Sequence, residues 1–283
     1  MALFGEDWRR ARRGWLYPLE RLQGFWRAIG ITAALLVSNV VLQTVLGLLL
    51  VIFVFKGTLA GAMAHNGDDY TSLLQAGVLV IFPAGLVTML LGTWLGKFGL
   101  PGGQGRLLLN WPRLGWLGWI VTVLGFAVLM FILLNLVFLV SGIDPETYTT
   151  SSAGLGDTKS GAGLVEKTIA GMAANHPWLF VLSLPAIVFG APLAEEITFR
   201  GPLFSALVKS PVGKIGAVVI TSALWALAHS VAAPLLYVGL LFVMGLGLGL
   251  MLLRFGSLWV TIGCHSAWNL ITAFGLLAAG LTR

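Results

Sequence analysis

The sequence predicts an all-α, polytopic membrane bundle, and three observations carry that prediction. Of the 283 residues, 58% are hydrophobic and only 10% charged, where soluble domains hold about 45–50% apolar and about 25% charged residues. The apolar residues gather into runs of about 20, enough to cross a hydrocarbon core of roughly 30 Å as a helix. The chain also holds 11 Trp and 37 Gly, the residues that anchor membrane helices at interfaces and let them approach closely.

Residues 1–28 form a basic amphipathic segment. Arg9, Arg10, Arg12, Arg13, Arg21 and Arg27 alternate with Trp8, Trp15, Tyr17, Phe25 and Trp26, a pattern that predicts one or two interfacial helices on the cytoplasmic face. The charges are too many for a cleavable signal peptide. The net charge of +6 reads as a positive-inside signal with attraction to anionic lipid, not as a nucleic-acid surface. The lone Cys264 excludes an intrachain disulfide.

Residues 29–177 hold three predicted spans (29–55, 73–95 and 115–141), the last after the turn-rich Pro101-Gly102-Gly103, and then a polar loop, 142–177. That loop carries Asp144, Glu146, Asp157, Lys159, Glu166 and Lys167. Residues 178–283 hold four more: one from Trp178 toward Leu207, then 212–230, 233–253 and 257–281. Gly92 with Gly96, and Gly245 with Gly249, give small-residue packing faces. Cations sort by side: Lys97, Arg106 and Arg113 fall between the second and third spans, and Arg200, Lys209, Lys214 and Arg254 at or near the fourth-to-fifth and sixth-to-seventh turns, on the face of the amino terminus. The acidic loops 56–72 and 142–177 fall on the other. The positive-inside rule therefore predicts a cytoplasmic amino terminus, in what reads as a prokaryotic cytoplasmic membrane.

An ionisable side chain in an apolar span costs about 2.5–3.5 kcal/mol on insertion scales. Those present all fall in the last third: Glu195, Glu196, Arg200, His229 and His265. The earlier spans hold nothing comparable; Asn39, Gln43 and Asn135 there are neutral and suited to interhelical hydrogen bonds. Glu196 and Arg200 stand four apart, in the favoured order for a helical ion pair. Glu195 is turned about 100° away from that pair and has no local partner. His265 with Asn269, and Trp225 with His229, repeat the four-residue spacing, so three helices present polar groups to one interior. A carboxylate, two imidazoles and an amide supply a general base for water and donors for an oxyanion. The Glu196–Arg200 pair taken alone reads as structural, and a lone membrane histidine as an interhelical hydrogen-bonder; the clustering is what points to chemistry.

Glu195-Glu196-Ile197-Thr198-Phe199-Arg200, Trp225-Ala226-Leu227-Ala228-His229 and His265-Ser266-Ala267-Trp268-Asn269 resemble, in order, the EExxxR, FxxxH and HxxxN/D motifs of the CAAX protease and bacteriocin-processing (CPBP, Abi) family, in its Rce1-like form. The resemblance covers about residues 178–275, with Trp225 standing where the family has Phe. It implies a membrane-embedded endopeptidase in which Glu195 and His229 activate water and His265 and Asn269 bind the oxyanion. Glu196, Arg200 and Trp225 then support the site. The implied substrate is a peptide or lipidated protein.

The family is often called metallo-, and a zinc ion on Glu195, His229 and His265 with an open water position satisfies the ligand count of a catalytic site. HExxH is absent, and the reading leans against a tightly bound metal. Two rivals are a non-proteolytic scaffold or bacteriocin-immunity protein of the same family, and a small transporter using these groups as a proton relay. The partners read from the sequence are membrane lipid and the substrate.

Overall fold

Apolar helices that satisfy their own backbone hydrogen bonds are what a lipid-exposed chain must form, and the computed structural model is built from them. It describes residues 3–17, 24–63, 67–97, 109, 111–142, 164–230 and 235–281. The elements are α1 (Glu6–Ala11), α2 (Phe25–Phe53), α3 (Leu59–Met63), α4 (Gly67–Leu79), α5 (Ile81–Lys97) and α6 (Trp116–Ser141). They continue with α7 (Leu164–Asn175), the composite α8 (Pro177–Val208), α9 (Gly213–Ala228), α10 (Leu235–Phe255) and α11 (Leu258–Leu281). No strand occurs among the described residues.

Among the described residues six helices are long and apolar enough to cross a membrane, α4 and α5 counting as one of them. The expected span at 212–230 is α9, which has 16 residues and measures about 24 Å at 1.5 Å per residue. It is the short member of the bundle, and it stops at His229. The chain is an integral membrane protein with α8 at its centre: α2, α5, α9 and α11 all pack on it. α9 lies along α10, and the small-residue face expected at Gly245 and Gly249 makes that contact. A Cβ on Gly245 would stand 2.9 Å from Ser222, and one on Gly249 3.0 Å from Val218. A closer crossing joins α5 to α8, where a Cβ on Gly85 would stand 2.3 Å from the Gly190 carbonyl oxygen.

The structure sharpens three expectations. Among the described residues the amino-terminal segment holds one short helix. Helix α1 has six residues, and the flanking backbone clasps the bundle. Gly5 N–H donates to Leu114 and Leu16 N–H to Arg254, while Leu117 N–H returns to Leu3. The segment thus ties the start of α6 to the end of α10. Gly256, in the α10–α11 turn, has φ of 64° and lies under this clasp; a Cβ there would meet the Leu16 carbonyl at 2.7 Å. Tyr17 is carried into the core by the clasp, and burial pushes its phenol well above the usual range.

Second, the polar loop 142–177 is not all loop, because 164–175 is helical and packs on α11. Third, of the neutral polar residues in the early spans, Asn39 does bond between helices, to Thr88 Oγ1 at 2.8 Å. Asn135 instead donates to Phe131 O in its own helix. Pro101–Gly103, Arg106, Arg21, Asp144, Glu146, Asp157 and Lys159 lie outside the described residues.

Candidate active site

Helix α8 carries two glutamates into the core because it is not a uniform α-helix. Pro185, Pro192 and Pro202 each remove a backbone donor and crowd the carbonyl one turn back. Wider π-type turns occupy Ala186–Gly190 and Glu196–Leu203, with a kink at Gly201. Such turns are frequent at functional sites, since they re-aim side chains and free carbonyls.

One freed carbonyl finds a partner across the bundle: Asn269 Nδ2 on α11 donates to Ile187 O at 2.9 Å. The nitrogen carries two hydrogens, so a second donor remains for a ligand.

Glu196 points inward. Its carboxylate is fully buried, as is the Arg200 side chain, and Arg200 Nη1 donates to Glu196 Oε1 at 3.2 Å. His265 Nδ1 lies 3.0 Å from the same oxygen. An ionised carboxylate only accepts, so Nδ1 carries the hydrogen and the His265 tautomer is set. The brace therefore joins α8 to α11, one connection more than an isolated ion pair makes.

Glu195 faces the other way, 23% exposed, into a cavity of about 160 Å³ lined also by Trp225, His229, His265 and Asn269. Trp225 Nε1–H donates to Glu195 Oε2 at 2.5 Å. His229 Nε2 stands 3.9 Å from Oε1, and His265 Nε2 stands 3.8 Å from Oε2. These separations are too long for direct hydrogen bonds and suit sharing a water. The His229 tautomer is fixed as well. Its Nδ1 lies 2.8 Å from the Trp225 backbone oxygen, which can only accept, so Nε2 keeps its lone pair toward Glu195 in the neutral ring. Trp225 is 1% exposed. The Arg200 guanidinium sits 4.7 Å from its ring centroid, a cation–π contact that links the brace to the open glutamate.

All seven residues singled out by spacing thus converge. Glu195, Trp225, His229, His265 and Asn269 line one cavity, and Glu196 with Arg200 lies directly behind it. What spacing did not reveal is a second layer. Glu166 on α7 and Tyr237 on α10 also line this cavity, hydrogen-bonded to each other through the Tyr237 hydroxyl. The available signal was a phenol alone in the apolar run 233–253, which carries no motif.

The metal alternative can be tested on the same distances. The two imidazoles address opposite oxygens of Glu195, and Oε2 already holds the indole hydrogen. Zinc needs its nitrogen and oxygen ligands at about 2.0–2.2 Å from one point. Among the described residues no three His, Cys, Asp or Glu side chains form such a set. The cluster does not fit a resident ion.

Residues 177–271 match the model of the family described as type II CAAX prenyl endopeptidase, Rce1-like. This part of the chain is an Rce1-like domain. Its limits run from the start of α8 into α11 and enclose all three motifs, while α1–α7 lie outside the match. No curated protein and no solved structure matches the chain. At the level of the family, that match supports a CAAX-type intramembrane protease in general.

Proposed function

We propose that the chain hydrolyses a peptide bond with a water held between Glu195 and His229, close to a lipidated or hydrophobic end of its substrate. The observation that carries this reading is the pair of Nε2 atoms facing one partly exposed carboxylate at 3.8 and 3.9 Å. Glu195 removes a proton from the water as its oxygen attacks the carbonyl carbon. His229 Nε2 accepts the water's other hydrogen bond and orients it.

The oxygen of the tetrahedral adduct then needs donors. Asn269 offers its second amide hydrogen. His265 presents Nε2 to the same cavity and donates from it when the ring carries both hydrogens, since Nδ1–H is committed to Glu196. The proton on Glu195 passes to the leaving amine, which breaks the C–N bond and restores the carboxylate. Trp225 holds Glu195 in place, and Glu196 with Arg200 braces α8 against α11.

The family description names prenylated substrates, and we carry that substrate class to this chain. The amino terminus is proposed to face the cytoplasm, on the strength of the flanking arginines. The direct test compares the peptides released from membranes holding wild-type or Glu195→Gln protein. A carboxamide cannot take a proton from water, so products present only with the wild type support the reading, and identical peptide sets overturn it in favour of a scaffold.

A further inference from the structure

Beside the catalytic cavity lies a second one of about 310 Å³, between α6, α10 and α11. Its walls include Met130, Phe131, Leu134, Phe138, Leu240 and Ile271. A space so lined does not hold water readily and accepts hydrocarbon. The two cavities share a wall, and the polar members of that wall are Glu166, Tyr237, Trp268 and Thr272. Glu166 reaches it from α7, outside the Rce1-like match.

A carboxylate at the edge of a largely apolar cavity needs a reason. Tyr237 supplies one hydrogen bond, but a carboxylate has about four acceptor positions. A peptide drawn into this space brings backbone N–H groups that are costly to leave unpaired. Among the described residues, Glu195 and Glu166 are the carboxylates on the catalytic cavity wall.

We propose that Glu166, held by Tyr237, is the specificity-determining junction of the substrate site. A hydrocarbon chain on the substrate occupies the 310 Å³ cavity, and Glu166 accepts the backbone N–H of the residue that bears the chain. The adjoining peptide bond then falls at Glu195. The negative charge of Glu166 also turns the substrate's terminal carboxylate away from it, toward the His229 side. This rests on the protease reading for its consequence, but its test does not require cleavage.

The probe is an S-farnesyl-N-acetylcysteine amide with a diazirine at the far end of its chain, added at low concentration to the full-length protein in liposomes. After illumination, adducts are mapped by mass spectrometry. Adducts are expected on the wall from Met130 to Phe138 or at Ile271. Their yield should fall about tenfold in Glu166→Leu, the loss of one hydrogen bond to a charged acceptor. Methylating the acetamide nitrogen should cost the same factor in the wild type and nothing further in Glu166→Leu.

Tyr237→Phe and Glu166→Gln keep an acceptor and should label within about threefold of wild type. Leu134→Trp, which fills the cavity without touching the junction, should also abolish labelling. Adducts elsewhere, or Glu166→Leu and Leu134→Trp that label like wild type, overturn the proposal. If Glu166→Leu fails to fold, Leu134→Trp and the N-methyl probe decide alone. Cleavage of a farnesylated peptide by the wild type is scored separately, so loss of the protease reading and loss of the junction are distinguishable.

Discussion

On the proposed mechanism one of the two adjacent glutamates is a brace and the other a base, so replacing each by glutamine should produce opposite phenotypes. Glu196 is fully buried and accepts from both Arg200 and His265. Glutamine at 196 keeps one acceptor oxygen but removes the charge, leaving the buried Arg200 guanidinium unneutralised. Breaking a buried pair from one side costs about 3–5 kcal/mol, and the retained acceptor places Glu196→Gln at the lower end, about 3 kcal/mol. At roughly 2–4 °C per kcal/mol, the apparent unfolding midpoint in detergent should fall by about 6–12 °C. Glu195 is partly exposed and its Oε2 holds the Trp225 hydrogen. Glutamine's oxygen can keep that bond, so Glu195→Gln should move the midpoint by less than about 1 kcal/mol equivalent while cleavage of a farnesylated peptide is lost. The assay pairs thermal size-exclusion recovery with peptide cleavage on the same preparations. A Glu196→Gln protein of wild-type stability without activity, beside a Glu195→Gln protein that is active but unstable, would refute the assignment of both residues.

Other outcomes follow from single contacts. Trp225→Phe keeps an aromatic ring beside Arg200 but removes the indole donor to Glu195; kcat should fall about tenfold with KM unchanged, and unaltered kcat would show that the hydrogen bond positions nothing. Purified protein should hold no stoichiometric zinc and keep its cleavage activity after dialysis against chelator; about one zinc per chain, lost in His229→Ala, would recast Glu195 and His265 as ligands. With buried Cys264 silent, Gly14→Cys and Asn175→Cys should react with an impermeant maleimide from opposite sides of sealed vesicles, Gly14→Cys from the cytoplasmic side; labelling of both from one side would sink the topology. Gly85→Val should cost stability by about 1–3 kcal/mol or more, because the α5–α8 crossing leaves no room for a Cβ; wild-type stability in that variant would contradict the close packing.

Much of the bundle was legible because a membrane span is a length and a composition, and both are printed in the sequence. The motif residues were legible for a related reason. Glu195, Glu196, Arg200, His229 and His265 are costly in an apolar run, so their spacing stood out against a quiet background. Their partners were less visible. That Glu195 meets Trp225 and Glu196 meets His265 depends on how α8, α9 and α11 cross, which no local period encodes. The π-type turns of α8 were hidden too; the prolines marked a disturbance there, but not that Asn269 would bond the carbonyl of Ile187. Glu166 was passed over for the opposite reason to the core glutamates. In a loop already rich in charge, one more carboxylate carries no signal until α7 folds back onto α11.

That contrast bears on how the site divides its labour. The proposed catalytic cluster and its brace come entirely from α8, α9 and α11, within the Rce1-like match. The walls of the second cavity come also from α6 and α7, outside it. Chemistry on a peptide bond is the same for every substrate, so its residues are fixed by the reaction. The shape and length of an apolar chain differ between substrates, so the walls that receive it are free to differ. Cavity-lining changes in α6, such as Leu134→Trp, should therefore raise KM for a farnesylated peptide while leaving kcat and the cleavage of its S-methyl counterpart as they were. A change in kcat for both peptides would mean that α6 supports the reacting groups rather than the chain, and the division drawn here would be wrong.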